Sequence, residues 1–233
     1  MRRELTLTLP LDRREICRYL GCPPDEAASI EQMIAQAEQQ VLQRAAPRCT
    51  FVRFPLIRGE DGTLSFGPKI PLEGKNIRRH LAGCYDLILM AATLGTAVDE
   101  LLRRAAAQDL ARSVLLDAVA SVAAEQAAAL AEDAAARALC REGEYHTGRF
   151  SPGYGDLPIE LQRRIIPLLD APRQIGLAVT RSLILTPRKS VTALIGVADH
   201  PVTGSLAGCD TCLLREKCEW RKRGMPCGGE TSN

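Results

Sequence analysis

The hydrophobic pattern of the chain changes several times between the period of a strand and that of a helix. Residues 5–9 alternate leucine with threonine, which predicts a short edge strand ending before Pro10. Residues 12–20 and 25–46 carry helical patterns, whereas 49–57 is rich in β-branched and aromatic residues and is predicted to be a strand. The apolar run within 85–95 predicts a central strand that is buried on both faces.

A long alanine-rich stretch follows from about residue 97 to 141. Asp109 can cap a new helix, so we expect two helices with a break at 107–109. The alanines would let another element approach the second helix closely. One row of apolar side chains recurs every four residues in that helix and is expected in the core: Leu110, Val114, Ala118 and Val122.

The second half of the chain predicts shorter elements. After a loop rich in glycine and proline, we expect a short helix at 161–169 and strands at 175–179 and 191–197. The predicted fold class is α+β, with a twisted, mainly antiparallel sheet flanked by helices and a small cysteine-rich tail. We therefore divide the chain into a domain at 1–204 and a tail at 205–233.

Composition narrows the classes of function. The 233 residues are 46% hydrophobic and 25% charged, which is typical of a globular protein. A net charge of +2 and an aromatic content of 4% argue against nucleic acid as a partner. Residues 1–10 lack the apolar core of an export signal, and the apolar run at 87–94 is shorter than the roughly 20 residues of a membrane span. We expect a cytoplasmic location and no membrane contact.

A loop that begins at Arg149 is the first candidate site. Its sequence is RFSPGYGD, in which Pro152 restricts the backbone while Gly153 and Gly155 can adopt positive φ and approach a ligand. Arg149 offers a fork for a carboxylate, and Tyr154 stands between the two glycines, where its ring can cover a ligand. An ordinary structural turn is the alternative interpretation.

Acidic side chains form a second candidate site. Asp117, Ser121 and Glu125 are spaced by four residues and point from one face of the long helix, where two acids could attract a cation. A solvated helix face is the alternative. Glu144 lies shortly before the Arg149 loop and is open to the same two interpretations.

The nine cysteines divide into two groups. Cys17, Cys22, Cys49, Cys84 and Cys140 follow no ligand spacing and are expected to be small buried hydrophobic residues. The other four lie in the tail, where a Cys-x2-Cys pair and two later thiols could hold zinc or an iron–sulfur cluster, with accidental clustering as the alternative. These tail cysteines are Cys209, Cys212, Cys218 and Cys227.

Common catalytic motifs are missing from the sequence. It contains no GxGxxG, Walker A, HExxH or GxSxG motif, and its three histidines are His80, His146 and His200. Hydrolase chemistry therefore has little support.

Three ordered blocks resemble the activation domain of cobalamin-dependent methionine synthase. The pattern of that family is Arg-x-Ala-Pro-Gly-Tyr, then Gly-x-x-Leu-Thr-x-Ser, then Pro-x-x-Ser-Val. The chain has RFSPGY from Arg149, IGLAVTRS at 175–182 and PRKSV at 187–191. The resemblance covers residues 85–200 approximately. The chain departs from the pattern after Tyr154, where GDLP at 155–158 replaces Pro-Ala-Cys-Pro.

The resemblance implies roles for individual residues. Arg149 would hold the carboxylate of S-adenosylmethionine, while Ser151 and Gly153 would offer backbone groups. Tyr154 would be the catalytic residue, lying beside the sulfonium and facing the corrin. Glu125 would pair with the ligand ammonium, and Glu144 would assist it.

The resemblance also implies a function. The chain would be a stand-alone, methyltransferase-type component that binds S-adenosylmethionine and supports reductive remethylation of inactive cob(II)alamin. The cobalamin would be carried by a separate methionine synthase subunit or a related corrinoid protein, and an electron donor would be needed. We expect the tail to hold an iron–sulfur cluster that supplies the electron, with zinc as the alternative. A docking or redox module that does not use S-adenosylmethionine is the alternative function.

Overall fold

The structure, a computed structural model, describes residues 2–21, 27–60, 62–202, 204 and 216, which contain nine strands, seven α-helices and one 3-10 helix at Ile159–Leu161. The strands are Arg2–Glu4 (β1), Arg48–Arg58 (β2), Leu64–Phe66 (β3), Ile70–Pro71 (β4), Asp86–Thr93 (β5), Tyr145–His146 (β6), Ala178–Val179 (β7), Leu185–Thr186 (β8) and Ser190–Ala198 (β9). The helices are Arg13–Leu20 (α1), Ala27–Arg44 (α2), Lys75–His80 (α3), Thr96–Gln108 (α4), Leu110–Leu139 (α5), Gln162–Leu168 (α6) and Ala171–Ile175 (α7).

Seven of the strands form one antiparallel sheet. Its order is β4-β3-β2-β5-β9-β6, and β1 pairs with the first part of β2. In β5, the side chains of Leu87, Ile88, Leu89 and Met90 are all completely buried, because both faces of this strand are covered. The predicted α+β class, with a mainly antiparallel sheet flanked by helices, and the central position of this strand are confirmed.

Helices cover both faces of the sheet. On one face, α5 packs against β2, β5 and β9 through small side chains, and Ala128, Ala131 and Ala135 are completely buried there. The opposite face is covered by a cluster that includes residues of α3, α6 and α7. A third cluster joins α5 to α1, α2 and α4 on the side away from the sheet. The long helix is therefore in the middle of the fold.

The break between α4 and α5 occurs where the sequence predicts it. Asp109 ends α4 and begins α5, and its side chain accepts a hydrogen bond from the backbone N–H of Arg112. By length and composition alone, α5 could also cross a membrane. Its most apolar window is 61% buried within the described protein, as expected for a core helix.

Part of the apolar row in α5 is not in the core, which corrects the prediction. Leu110 and Val114 are 75% and 50% exposed, whereas Ala118 and Val122 are buried. A four-residue step exceeds one helical turn of 3.6 residues, so such a row winds around the helix and cannot stay on one face over three steps. The first part of α5 buries Leu115 instead.

Two predicted strands are also different. The first strand covers Arg2–Glu4 and not residues 5–9, because side chains of the helices provide partners for the backbone of the following segment: Gln126 accepts a hydrogen bond from the N–H of Thr8. In the region 175–179, α7 extends to Ile175, and only Ala178–Val179 form a strand. The predicted tail at 205–233 lies outside the described residues, with the exception of Glu216.

Candidate functional site

The Arg149 loop starts at the edge of the main sheet. β6 pairs with the last residues of β9, and after it the backbone of Phe150 exchanges two hydrogen bonds with Leu194 of β9, with N to O distances of 2.8 and 2.9 Å. The ring of Phe150 packs against buried His80, with 5.0 Å between ring centroids. The ring of His80 also makes a 3.0 Å hydrogen bond with the carbonyl oxygen of Gly148. Gly148 and Phe150, which flank Arg149 in the chain, are therefore both anchored.

A tight turn presents Tyr154 to solvent. The N–H of Tyr154 donates to the carbonyl of Ser151, and the N–H of Gly153 donates to the carbonyl of Leu157. Both glycines have positive φ, at 88° for Gly153 and 54° for Gly155, as predicted from the sequence. The Tyr154 side chain is 58% exposed. The turn therefore holds this ring away from the backbone, in a position to contact a bound molecule or a partner.

Asp156 attaches the turn to α3. Its carboxylate accepts hydrogen bonds from the backbone N–H groups of Lys75 and Asn76, the first two residues of α3, at 2.6 and 3.0 Å. A side chain at Gly155 would lie 2.4 Å from the side-chain nitrogen of Asn76, and the positive φ of this residue also favours glycine. The segment after Tyr154 therefore caps the start of α3 through Asp156.

Arg149 is held by two carboxylates of α5. Its Nε donates to Glu132 at 2.9 Å, and its Nη1 lies 3.5 Å from Glu125, at the outer limit of a hydrogen bond. The side chains of Arg149 and Glu132 are 24% and 18% exposed, whereas that of Glu125 is 52% exposed. Burial raises the pKa of Glu132, and the charge of Arg149 partly opposes this effect. The structure therefore brings Arg149 and Glu125 together, with Glu132 as the closer partner of the arginine.

The other members of the acidic row contact a lysine. Lys189, which lies just before β9, forms a 2.9 Å ion pair with Asp117 and donates to the hydroxyl of Ser121 at 2.8 Å. Its side chain is 13% exposed. Along α5, Asp117 and Glu125 thus have separate cationic partners, and the row is not a simple solvated face.

Glu144 has a different set of partners. Its two oxygens accept hydrogen bonds from both Nη atoms of Arg53, at 2.6 and 2.9 Å, and from the hydroxyl of Tyr85 at 2.6 Å. These hydrogen bonds hold the pKa of Glu144 well below its usual range. Arg53 also contacts Asp86 and the carbonyl oxygen of Leu139, at the end of α5. Glu144 therefore connects the segment before Arg149 to β2, β5 and α5.

The predicted metal site lies outside the described residues, since Cys209, Cys212, Cys218 and Cys227 are all in the tail. Within the ranges that the structure describes, no group of three or more His, Cys, Asp or Glu side chains could hold a metal ion.

The five other cysteines were predicted to be buried. Cys17, Cys49 and Cys84 are buried and Cys140 is half-buried. Cys22 lies outside the described residues.

Sequence reasoning missed three side chains of this region: Glu132, Lys189 and Arg53. Glu132 could have been found, because it lies two helical turns after Glu125 and thus on nearly the same face of α5. Lys189 and Arg53 contact residues that are far away in the chain, and no local pattern indicates such pairs.

Comparisons with known proteins identify the family and a similar fold. The family described as vitamin B12 dependent methionine synthase, activation domain, matches residues 76–202, more than half of the 233-residue chain. The crystal structure of the MetH reactivation domain bound to AdoHcy is similar, with a TM-score of 0.62 and 18% identity over 97% of this chain and 86% of that chain. No curated protein matches the sequence. The structural similarity supports the same fold, and the family match shows that the chain belongs to the activation-domain family of vitamin B12-dependent methionine synthase.

Proposed function

We propose that this protein binds S-adenosylmethionine at the Arg149 loop and supports reductive remethylation of inactive cob(II)alamin. The cobalamin is carried by a separate methionine synthase subunit or a related corrinoid protein. The observation that carries the proposal is the placement of Arg149 between the exposed Tyr154 turn and two carboxylates of α5, within the region that matches the family. The related structure contains AdoHcy, the demethylated form of this ligand.

The charges of the site complement the amino acid end of S-adenosylmethionine. Arg149 binds the ligand carboxylate through its Nη atoms, since its Nε already donates to Glu132. Glu125 is half exposed and weakly attached to Arg149, so it can turn to the ligand ammonium. Ser151 and Gly153 add backbone contacts, and Gly153 would use its carbonyl oxygen because its N–H is bound to Leu157.

The proposed reaction requires positioning and not proton transfer. The reduced cobalt centre of the partner supplies the nucleophile that takes the methyl group, while the C–S bond breaks and its electron pair stays on sulfur. Tyr154 is proposed to lie beside the sulfonium and to face the corrin, which suits its exposed position on the turn. The protein contributes by aligning the methyl group and excluding water, so it needs no histidine base.

Glu144 has a supporting role in this proposal. Both of its oxygens are occupied by Arg53, and Tyr85 donates to one of them. A direct contact between Glu144 and the ligand would require this pair to open. We therefore assign Glu144 to fixing the segment that leads to Arg149.

The electron for cobalamin reduction is a separate part of the proposal. We propose that the electron comes from an iron–sulfur cluster held by Cys209, Cys212, Cys218 and Cys227. Zinc is the alternative metal for this cysteine site. A brown, iron-containing protein after anaerobic purification, which loses its colour when Cys209 and Cys212 are replaced by serine, supports this assignment. A colourless, zinc-containing protein contradicts it.

Calorimetric titration with S-adenosylmethionine tests the main proposal. We expect saturable binding by the wild type and its loss in Arg149→Ala. The matched control is Arg104→Ala, which removes an arginine from an exposed ion pair with Glu100 on α4. Circular dichroism must show that both variants fold.

Unchanged affinity in Arg149→Ala would contradict the proposed site. No binding by folded wild type would favour a docking or redox module. If binding is found, methyl transfer from labelled S-adenosylmethionine to chemically reduced cobalamin tests the reaction itself.

A further inference from the structure

We propose that Glu132 makes the site selective for the cationic sulfonium form of its ligand over the neutral product that remains after methyl transfer. This inference rests on the proposed function. It concerns a residue that has no expected contact with the ligand carboxylate or ammonium, and it acts through the net charge of the site.

The position of Glu132 is the first step of the argument. Glu132 lies on α5 two turns after Glu125, and its Oε2 accepts a 2.9 Å hydrogen bond from the Nε of Arg149. Its side chain is 18% exposed, so the carboxylate is largely removed from water. An arginine needs only one carboxylate for neutralisation, yet Arg149 has Glu132 in close contact and Glu125 at 3.5 Å. The two acids together exceed the charge of the arginine.

The net charge of this group is therefore −1. Arg149 contributes +1, and Glu125 and Glu132 contribute −1 each. Lys189 and Arg53 do not cancel the excess, because each has carboxylate partners of its own: Lys189 forms an ion pair with Asp117, and Arg53 forms ion pairs with Glu144 and Asp86. Burial raises the pKa of Glu132, while the charges of Arg149 and the exposed His146 lower it and so favour the charged carboxylate.

The charge of the ligand changes during the reaction. S-adenosylmethionine carries a carboxylate, an ammonium and a sulfonium and has a net charge of +1, whereas S-adenosylhomocysteine has lost the sulfonium charge and is neutral. When the C–S bond breaks, the electron pair remains on sulfur and the methyl group leaves to the cobalt nucleophile. A site with one excess negative charge binds the cation more tightly, so the product is released more easily than the substrate. For one charge several ångströms away in a partly buried site, the preference is about tenfold.

Titrations with both ligands test the inference. The quantity of interest is the Kd of S-adenosylhomocysteine divided by the Kd of S-adenosylmethionine, in low salt at pH 7.5. We expect Glu132→Gln to lower this ratio about tenfold, because glutamine can still accept the hydrogen bond from Arg149 but carries no charge. The matched control is Asp133→Asn, which removes the same charge from the adjacent, exposed position of α5, where water screens it, and should change the ratio by much less.

The outcomes separate this inference from the proposed function. An unchanged ratio in Glu132→Gln overturns it, and so does equal weakening of both ligands, which would mean that Glu132 only positions Arg149. Added salt should weaken S-adenosylmethionine more than the neutral product in the wild type, and this difference should shrink in Glu132→Gln. Binding of neither ligand by folded wild type refutes the proposed function and this inference together. Binding of both with an unchanged ratio in the variant refutes the inference alone.

Discussion

Removal of Arg53 should destabilise the fold strongly, because this side chain joins four parts of the chain. Its guanidinium donates to Asp86, to both oxygens of Glu144 and to the carbonyl oxygen of Leu139, over distances of 2.6 to 2.9 Å. The side chains of Arg53 and Glu144 are 13% and 8% exposed. Arg53→Met would leave the Glu144 carboxylate buried, with Tyr85 and one backbone N–H as its remaining donors.

The magnitude follows from the burial of the pair. Breaking a buried ion pair by removing one partner costs about 3–5 kcal/mol, mostly because the remaining charge is not compensated. For a protein of this size, that loss lowers the melting temperature by about 10 °C. Glu144→Gln should cost less, since Arg53 keeps Asp86 and the carbonyl oxygen of Leu139 as partners. The double variant should be more stable than the sum of the single effects predicts, with a coupling energy of about 2 kcal/mol.

Urea unfolding of the two single variants and the double variant, monitored by circular dichroism, measures this coupling. The control cycle combines Arg104→Met with Glu100→Gln, an exposed pair on α4 whose side chains are 62% and 44% exposed. Such surface pairs contribute about 0.5 kcal/mol or less. A coupling energy between Arg53 and Glu144 that is no larger than in the control would refute the reasoning.

Glu144→Gln also tests whether Glu144 contacts the ligand. If Glu144 only supports the segment before Arg149, Glu144→Gln should be less stable than the wild type. Its Kd for S-adenosylmethionine should then change by less than about threefold. A loss of affinity above tenfold at full folding would instead place the carboxylate on the ligand.

Other predictions concern the pH dependence of stability, the cap of α3, the packing of α5 and the reactivity of two buried thiols. Glu144→Gln should reduce the loss of stability from pH 5 to pH 2, which urea unfolding at several pH values measures. In the wild type, hydrogen bonds from the arginine and tyrosine partners hold the pKa of Glu144 below its usual range. The carboxylate therefore stabilises the fold fully above about pH 4.3, and this stabilisation is lost as the pH falls. Asp156→Ala should cost about 1 kcal/mol through the lost cap of α3 and should weaken ligand binding, as thermal unfolding and calorimetry would show. Ala131→Leu should cost about 1–3 kcal/mol in urea unfolding, because this alanine is completely buried between α5 and the sheet. Cys49 and Cys84 should resist alkylation at pH 8 in the folded protein, because burial raises both pKa values to about 11; mass spectrometry after iodoacetamide treatment checks this.

Local signals in the sequence predicted much of the fold. The cap at Asp109 marked the start of α5, and the continuous apolar run at 85–95 marked a central strand, because both depend on residues that are close in the chain. The first strand was misplaced because the backbone of Thr8 forms hydrogen bonds with the side chain of Gln126 on α5. Leu110 was misassigned because a row with a period of four departs from the true helical repeat.

The candidate site was predictable only in part, for a related reason. Arg149 and Tyr154 lie in one short motif, whose glycines and proline can be recognised without knowledge of the fold. The partners of Arg149 come from α5, and the arginine partner of Glu144, Arg53, comes from β2, 91 residues earlier in the chain. Which acid lies closest to Arg149 depends on how α5 is seated on the sheet, and composition does not determine this.

The close packing of α5 on the sheet connects the stability of the fold to the proposed chemistry of the protein. Ala128, Ala131 and Ala135 allow this helix to approach the strands closely, and Glu125 and Glu132 are carried on the same helix. A larger side chain at an alanine position would lift the helix and move both carboxylates relative to Arg149, whose backbone is anchored on β9 through its neighbour Phe150. Alanine in this helix therefore serves the geometry of the ion pairs as well as packing. For the same reason, variants of the buried alanines should change ligand affinity even though none of them can touch a ligand.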